Sequence, residues 1–218
     1  MIGTLDAVVL GATDHRALAA FYRDLTGWDR ATTGDDRVTL HAPDGWRVAF
    51  QGTASAFPHQ GHLDIRVPEL EPALERALAL GGTLLRRFER WFTVADPAGN
   101  PFDLGWQPNI PAPDLLGPVL DAPDPWPASL FYTALLAKPL TYNGDDGFAM
   151  IAEAGSQPIL FQCVDGYHPH PGQLHLEVGV ADLEAAERAV LALGATRGSD
   201  GWLDPIGRPF RLTNPDRG

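Results

Sequence analysis

Apolar and polar positions alternate with a period of two in several short runs of the chain. In HLDIRV (62–67), Leu63, Ile65 and Val67 share one face, and His62, Asp64 and Arg66 share the other. HLEVGV (175–180) divides the same way, with Leu176, Val178 and Val180 against His175, Glu177 and Gly179. In WRVAFQ (46–51), Val48 and Phe50 oppose Arg47 and Gln51. Phe102 and Leu104 oppose Asp103, and Phe210 and Leu212 oppose Arg211. Such runs predict strands with one face on a core and one face left polar.

Helical spacing follows the strands. Four apolar runs start at Ala7, His62, Gly117 and His175, and each meets an acidic residue seven positions on: Asp14, Glu69, Asp124 and Asp182. An Asp there predicts a helix N-cap, and a Glu in a first turn suits the helix dipole. Three of the helices are expected to stop near Gly27, Gly81 and Gly194. On helix 71–80, Leu74, Leu78 and Leu80 are expected to pack on the apolar face of HLDIRV. The turns APDG (42–45), DPAG (96–99) and DPIG (204–207) fit between paired strands.

These units repeat. Phe21-Tyr22 returns as Phe131-Tyr132, WRVAFQ as PILFQ (158–162), and HLDIRVPEL (62–70) as HLEVGVADL (175–183). ALERALALGGT (73–83) returns as AAERAVLALGAT (185–196), and DPAGNPFDL (96–104) as DPIGRPFRL (204–212). Five blocks in the same order, 108 to 113 residues apart, indicate a duplicated domain. The Pro-rich stretch QPNIPAPD (107–114) predicts a linker at 109–114 between domains 1–108 and 115–218. Each half divides again, so the chain reads as an α+β protein of four βαβββ modules.

Composition narrows the function. The chain of 218 residues carries 28 acidic and 16 basic side chains, a formal net charge of −12. Such a surface repels nucleic-acid backbones and anionic lipid heads, so neither is an expected partner. No apolar run is long enough to span a bilayer. The N-terminal MIGTLDAVVLGATDH lacks the pattern of a signal peptide, and the single Cys163 suits a reducing cytoplasm. Lys138 is the only lysine, which points to a G+C-rich bacterial genome. Neither GxGxxG, GxxxxGK[ST] nor GxSxG occurs, so nucleotide folds and serine nucleophiles have no support.

The order of strand, Asp, helix with Phe-Tyr, AFQ strand, HLD strand and DPxGxPF resembles the glyoxalase-like domain of the vicinal oxygen chelate superfamily. That superfamily also holds bleomycin-resistance proteins and extradiol dioxygenases. The resemblance covers the chain twice over. It implies modules paired into two domains, with curled sheets forming cups and helices outside. The polar strand faces would then line the cups, and Arg47, Asp64, Arg66, Gln162, His175, Glu177 and Arg211 are read as substrate-binding.

In metal-dependent members, ligands come from the first and last strands of paired modules. Carried onto the first half, this implies His62, Asp103 and Gln51 as metal ligands, with His62 and Asp103 as the catalytic pair and Ala7 at a position unable to bind. The implied cofactor is one divalent ion: Mn, Fe, Ni or Zn. The second half has Gly117, Gln162, His175 and Arg211 at the matching positions, and Arg211 favours an anion over a cation. His59, His168 and His170 fall in Pro- and Gly-rich loops and are read as exposed rim residues. Most of the six tryptophans are expected in cores or in packing between the domains, with some near a cup mouth free to stack on a flat ligand.

Two functions compete on this reading. One is a small-molecule enzyme, an isomerase or lyase, in which a metal polarises vicinal oxygens of a small oxygenated metabolite. The other is a metal-free protein that sequesters an antibiotic or other natural product. His62 and His175 share a repeat position, and a repeat inherits structural residues as readily as functional ones. Because the duplication supplies an internal pseudo-dimer, a monomer suffices for either function, with a homodimer as the other expected state.

Overall fold

The computed structural model describes residues 2–54, 60–153, 157–168 and 174–214. His59 and His170 lie outside them, and His168 is exposed. All four modules are present. The first comprises β1 (Thr4–Ala12), α1 (His15–Thr26), β2 (Asp29–Thr33), β3 (Arg37–His41) and β4 (Arg47–Gly52). The second comprises β5 (Gly61–Val67), α2 (Leu70–Ala79), β6 (Thr83–Arg87), β7 (Trp91–Ala95) and β8 (Pro101–Trp106). The third comprises β9 (Asp114–Ala122), α3 (Pro125–Leu136), β10 (Leu140–Asn143), β11 (Phe148–Ile151) and β12 (Ile159–Cys163). The fourth comprises β13 (His175–Gly179), α4 (Leu183–Ala192), β14 (Thr196–Arg197), β15 (Trp202–Leu203) and β16 (Pro209–Thr213).

Local chemistry sets these boundaries. Asp14, Asp124 and Asp182 accept hydrogen bonds from the backbone N–H of Ala17, Trp126 and Ala185. Each relieves one donor that the first helical turn leaves unpaired. Glu69 precedes α2 without a side-chain cap. Gly27 closes α1 in the left-handed conformation, and Ala137 adopts the same conformation after α3.

The strands form two eight-stranded sheets, in the orders β14-β15-β16-β13-β1-β4-β3-β2 and β10-β11-β12-β9-β5-β8-β7-β6. The pairing of modules is crossed. Modules one and four share the first sheet through antiparallel β1 and β13, and modules two and three share the second through antiparallel β5 and β9. The sheets curl. Arg37 on β3 reaches Glu177 on β13 at 2.7 Å, although β4 and β1 lie between them. Three inter-strand steps on a flat sheet would set the two strands about 14 Å apart, near the limit that the two fully extended side chains could bridge.

Aromatic packing links the modules that strand pairing leaves apart. Tyr22 stacks on Phe50 of the first sheet at 5.3 Å and meets Phe102 of the second edge-on at 5.5 Å. The repeat does the same, with Tyr132 against Phe161 at 5.7 Å and Phe210 at 6.4 Å. The four modules therefore close into a ring, alternately through a core and through a sheet. In the core, Leu74 is buried as expected and Leu80 packs at its edge, but Leu78 is exposed and Ala77 takes the inward position. Trp28, Trp46 and Trp202 are buried, whereas Trp91, Trp106 and Trp126 are exposed, fewer in cores than the sequence suggested.

Candidate functional site

The second sheet gathers the candidate chemistry. On β5 the pattern is strictly alternating, with Leu63, Ile65 and Val67 buried and His62, Asp64 and Arg66 on the half-covered face. β8 runs parallel to β5 with Asp103 beside Asp64. His62 Nε2 lies 3.1 Å from Asp64 Oδ1 and 3.8 Å from Asp103 Oδ2. One ligand atom from each of His62, Asp64 and Asp103 falls within 4.8 Å of the others. Their side chains are 14%, 23% and 21% exposed, so the cluster is recessed but open.

The charges in this cup act on one another. Burial disfavours the His62 imidazolium, but contact with Asp64 and the charges of Asp64, Asp103 and Asp121 outweigh it, and its pKa is raised. Asp103 is also raised, by burial and by the Asp64 charge, against the opposing pull of His62 and a hydrogen bond from Thr93. Asp64 Oδ1 is buried, and His62 Nε2, 3.1 Å away, is not aligned with it as a hydrogen-bond donor. A carboxylate oxygen left so beside an imidazole nitrogen and a second carboxylate fits a shared cation.

The facing wall comes from the third module. Val119 on β9 lies opposite His62, and Gly117 lies opposite Asp64. Gln162 on β12 pairs with Asp121, whose Oδ1 accepts from Gln162 Nε2 at 2.6 Å. Phe148 flanks Gln162, and Trp91 sits opposite Gly105 on the other wall; both aromatics are exposed.

Gln51 does not join this cluster. It lies on β4 in the first sheet, where its Oε1 accepts a long hydrogen bond, 3.5 Å, from Arg211. The physical reason is the crossed pairing, which sets the first module beside the fourth. Asp64, read from the sequence as substrate-binding, stands among the potential ligands instead. Arg66 is held by Asp114 and Arg47 by Asp6, so both guanidinium groups are engaged in ion pairs. His175, Glu177 and Arg211 gather in the cup of the first sheet, where Arg37 grips Glu177 through two 2.7 Å hydrogen bonds. Asp121 and Arg37 escaped the sequence reading. Aligning the repeat would have flagged Asp121, which occupies the position that Gly11 holds in the first half.

A pair of curled sheets, each with one face on a shared core and one face forming a recessed polar cup, defines an α+β protein of paired βαβββ modules. The chain belongs to the glyoxalase-like domain family, whose model matches residues 7–105 and 118–213. No curated protein sequence matches it. Its fold is similar to that of glyoxalase I from Zea mays, with a TM-score of 0.75 at 17% identity over 97% of this chain and 92% of that one. It is also similar to a candidate dioxygenase from Bacillus subtilis, with a TM-score of 0.65 at 15% identity over 98% and 85% of the two chains. Among the described residues, no helix is long and apolar enough to cross a membrane.

Proposed function

We propose that the cup of the second sheet holds one divalent metal and catalyses an isomerase or lyase reaction on a small oxygenated metabolite. The observation that carries this reading is the convergence of His62, Asp64 and Asp103 from two adjacent strands. One nitrogen and two carboxylate oxygens suit Mn, Fe(II), Ni or Zn. Such an ion supplies Lewis-acid polarisation of substrate oxygens. The residues of the chain orient the reaction. His62, Asp64 and Asp103 would hold the ion, and the Thr93 hydroxyl donates to the Asp103 carboxylate. Gln162, steadied by Asp121, offers its amide to a substrate oxygen from the facing wall. Closure of both sheets within one chain supports a monomer, and the lone exposed Cys163 supports a cytoplasmic setting.

A metal-free binder of a planar natural product is the second reading. It is favoured by the apolar Val119 opposite His62 and by the exposed Phe148 and Trp91 on opposite walls. Metal content separates the two. Tag-free protein is dialysed against Mn, Fe(II), Ni or Zn and compared with His62→Ala and Asp103→Asn. One equivalent in wild type, held at least tenfold more weakly by each variant, is the expected result. Wild-type protein that retains no metal overturns the Lewis-acid reading and leaves the binder.

A further inference from the structure

The two cups are built on the same eight strand positions, so their side chains compare one for one. His175 matches His62, Glu177 matches Asp64, and Arg211 matches Asp103. Gln51 matches Gln162, Gly11 matches Asp121, and Arg37 matches Phe148. Val9 and Ala7 match Val119 and Gly117. Leaving the two histidines out of the count, the second-sheet set carries the three carboxylates of Asp64, Asp103 and Asp121. The first-sheet set carries one carboxylate, Glu177, and two guanidinium groups, Arg37 and Arg211. The cups therefore have opposite sign, −3 against +1, on a chain whose overall charge is −12. Each set has one further ion pair beside it, Arg47 with Asp6 and Arg66 with Asp114, which leaves this difference unchanged.

We propose that the cup of the first sheet is a second ligand site that takes a small anion, a carboxylate or a phosphate group, on Arg211 with Arg37 beside it. Glu177 is satisfied by Arg37 through both oxygens, and its side chain is only 5% exposed. Among the described residues no carboxylate forms an ion pair with Arg211, whose charge acts on Glu177 without a hydrogen bond to it. Its Nε donates to the Asp200 carbonyl at 3.1 Å, and Nη1 reaches Gln51 only at 3.5 Å. Its guanidinium thus carries the surplus charge, and charge-assisted bonds to a planar or tetrahedral oxyanion are its strongest available contacts. Beneath it, Ala7, Val9 and Ala49 form a small dry cluster apart from the main core. A cation is excluded from this cup by the same two guanidinium groups.

The site stands independently of the metal reading, and its test is run with chelator present so that no anion binds through a metal. Inorganic phosphate and acetate are titrated separately into the whole chain by amide-resolved NMR and calorimetry. Saturable binding is expected for at least one, which also identifies the preferred anion, with shifts at Ala7, Val9 and Ala49 rather than at Val119 and Leu160. Arg211→Gln is expected to weaken it at least tenfold and Arg211→Asp to abolish it, while His62→Ala leaves it unchanged. Thermal melting checks that the variants fold, and the wild-type shift map decides alone if they do not. Absence of saturable binding by both anions, shifts centred on the second sheet, or equal weakening by His62→Ala overturns the proposal.

Discussion

Asp204 opens the DPIG turn, and its environment decides its chemistry. Burial pushes its carboxyl up to about 6, against the opposing Arg208 charge and the N–H groups of Arg208 and Ile206. The folded state therefore favours the protonated acid. That contribution is complete below the ordinary value of 3.8 and is lost as the pH rises through about 6. A shift of this size corresponds to about 3 kcal/mol. Glu177 has the opposite sign, because Arg37 holds its carboxyl low and its contribution is lost on acidification. Wild-type stability thus mixes both trends. Asp204→Asn should remove only the loss between pH 4 and 6, read as the difference between urea-unfolding curves of variant and wild type. A constant difference across that range would refute the assignment. The turn itself was legible in the sequence, because Asp, Pro and Gly act within four residues; the burial that raises the pKa was not.

β5 shows what a strand pattern reveals. Its alternation put His62, Asp64 and Arg66 on one face, and the structure keeps them there. It could not show which partner each side chain meets, because Asp114 and Val119 come from a strand about 50 residues away in sequence. Helix α2 shows the limit of the helical pattern, where Ala77 and not Leu78 faces inward, a difference of one position in register. Gly61 starts β5 at φ +129°, and a Cβ there would clash with the Val119 carbonyl oxygen. Gly61→Ala should therefore cost roughly 1–3 kcal/mol and displace His62 from the β5–β9 ladder. Calorimetric melting should show the loss of stability, and metal titration should show weaker binding. Unchanged melting and metal affinity would show that the ladder does not depend on this residue.

The four modules are joined in a ring, so neither half of the chain contains a complete sheet. A fragment of residues 1–111 would carry β1 and β5 as unpaired edges, and its complement would carry β9 and β13. Each fragment alone should associate or aggregate, and the two mixed should form a one-to-one complex, as judged by light scattering. Two well-folded monomeric halves would contradict the crossed pairing. Each cup draws its walls from both halves of the chain, and three replacements at matched positions, Gly11, Arg37 and Arg211, give the two cups opposite sign.

Strands, helix starts, the turns and the fourfold repeat were readable in the chain, because each rests on periodicity or hydrogen bonding within a few residues. Alternation placed His62 and Asp103 on polar strand faces, and only the resemblance to the glyoxalase-like domain marked those strand positions as candidate ligands. The choice of partner module was not readable in the chain. β1 and β9 present similar apolar runs to the similar strands β5 and β13, so strand pattern alone does not distinguish adjacent from crossed pairing. Long-range packing makes that choice, through the aromatic contacts of Tyr22 and Tyr132 between the sheets and the antiparallel ladders that close the ring. It sends Gln51 to Arg211, and it brings Asp64 and Asp121 to His62.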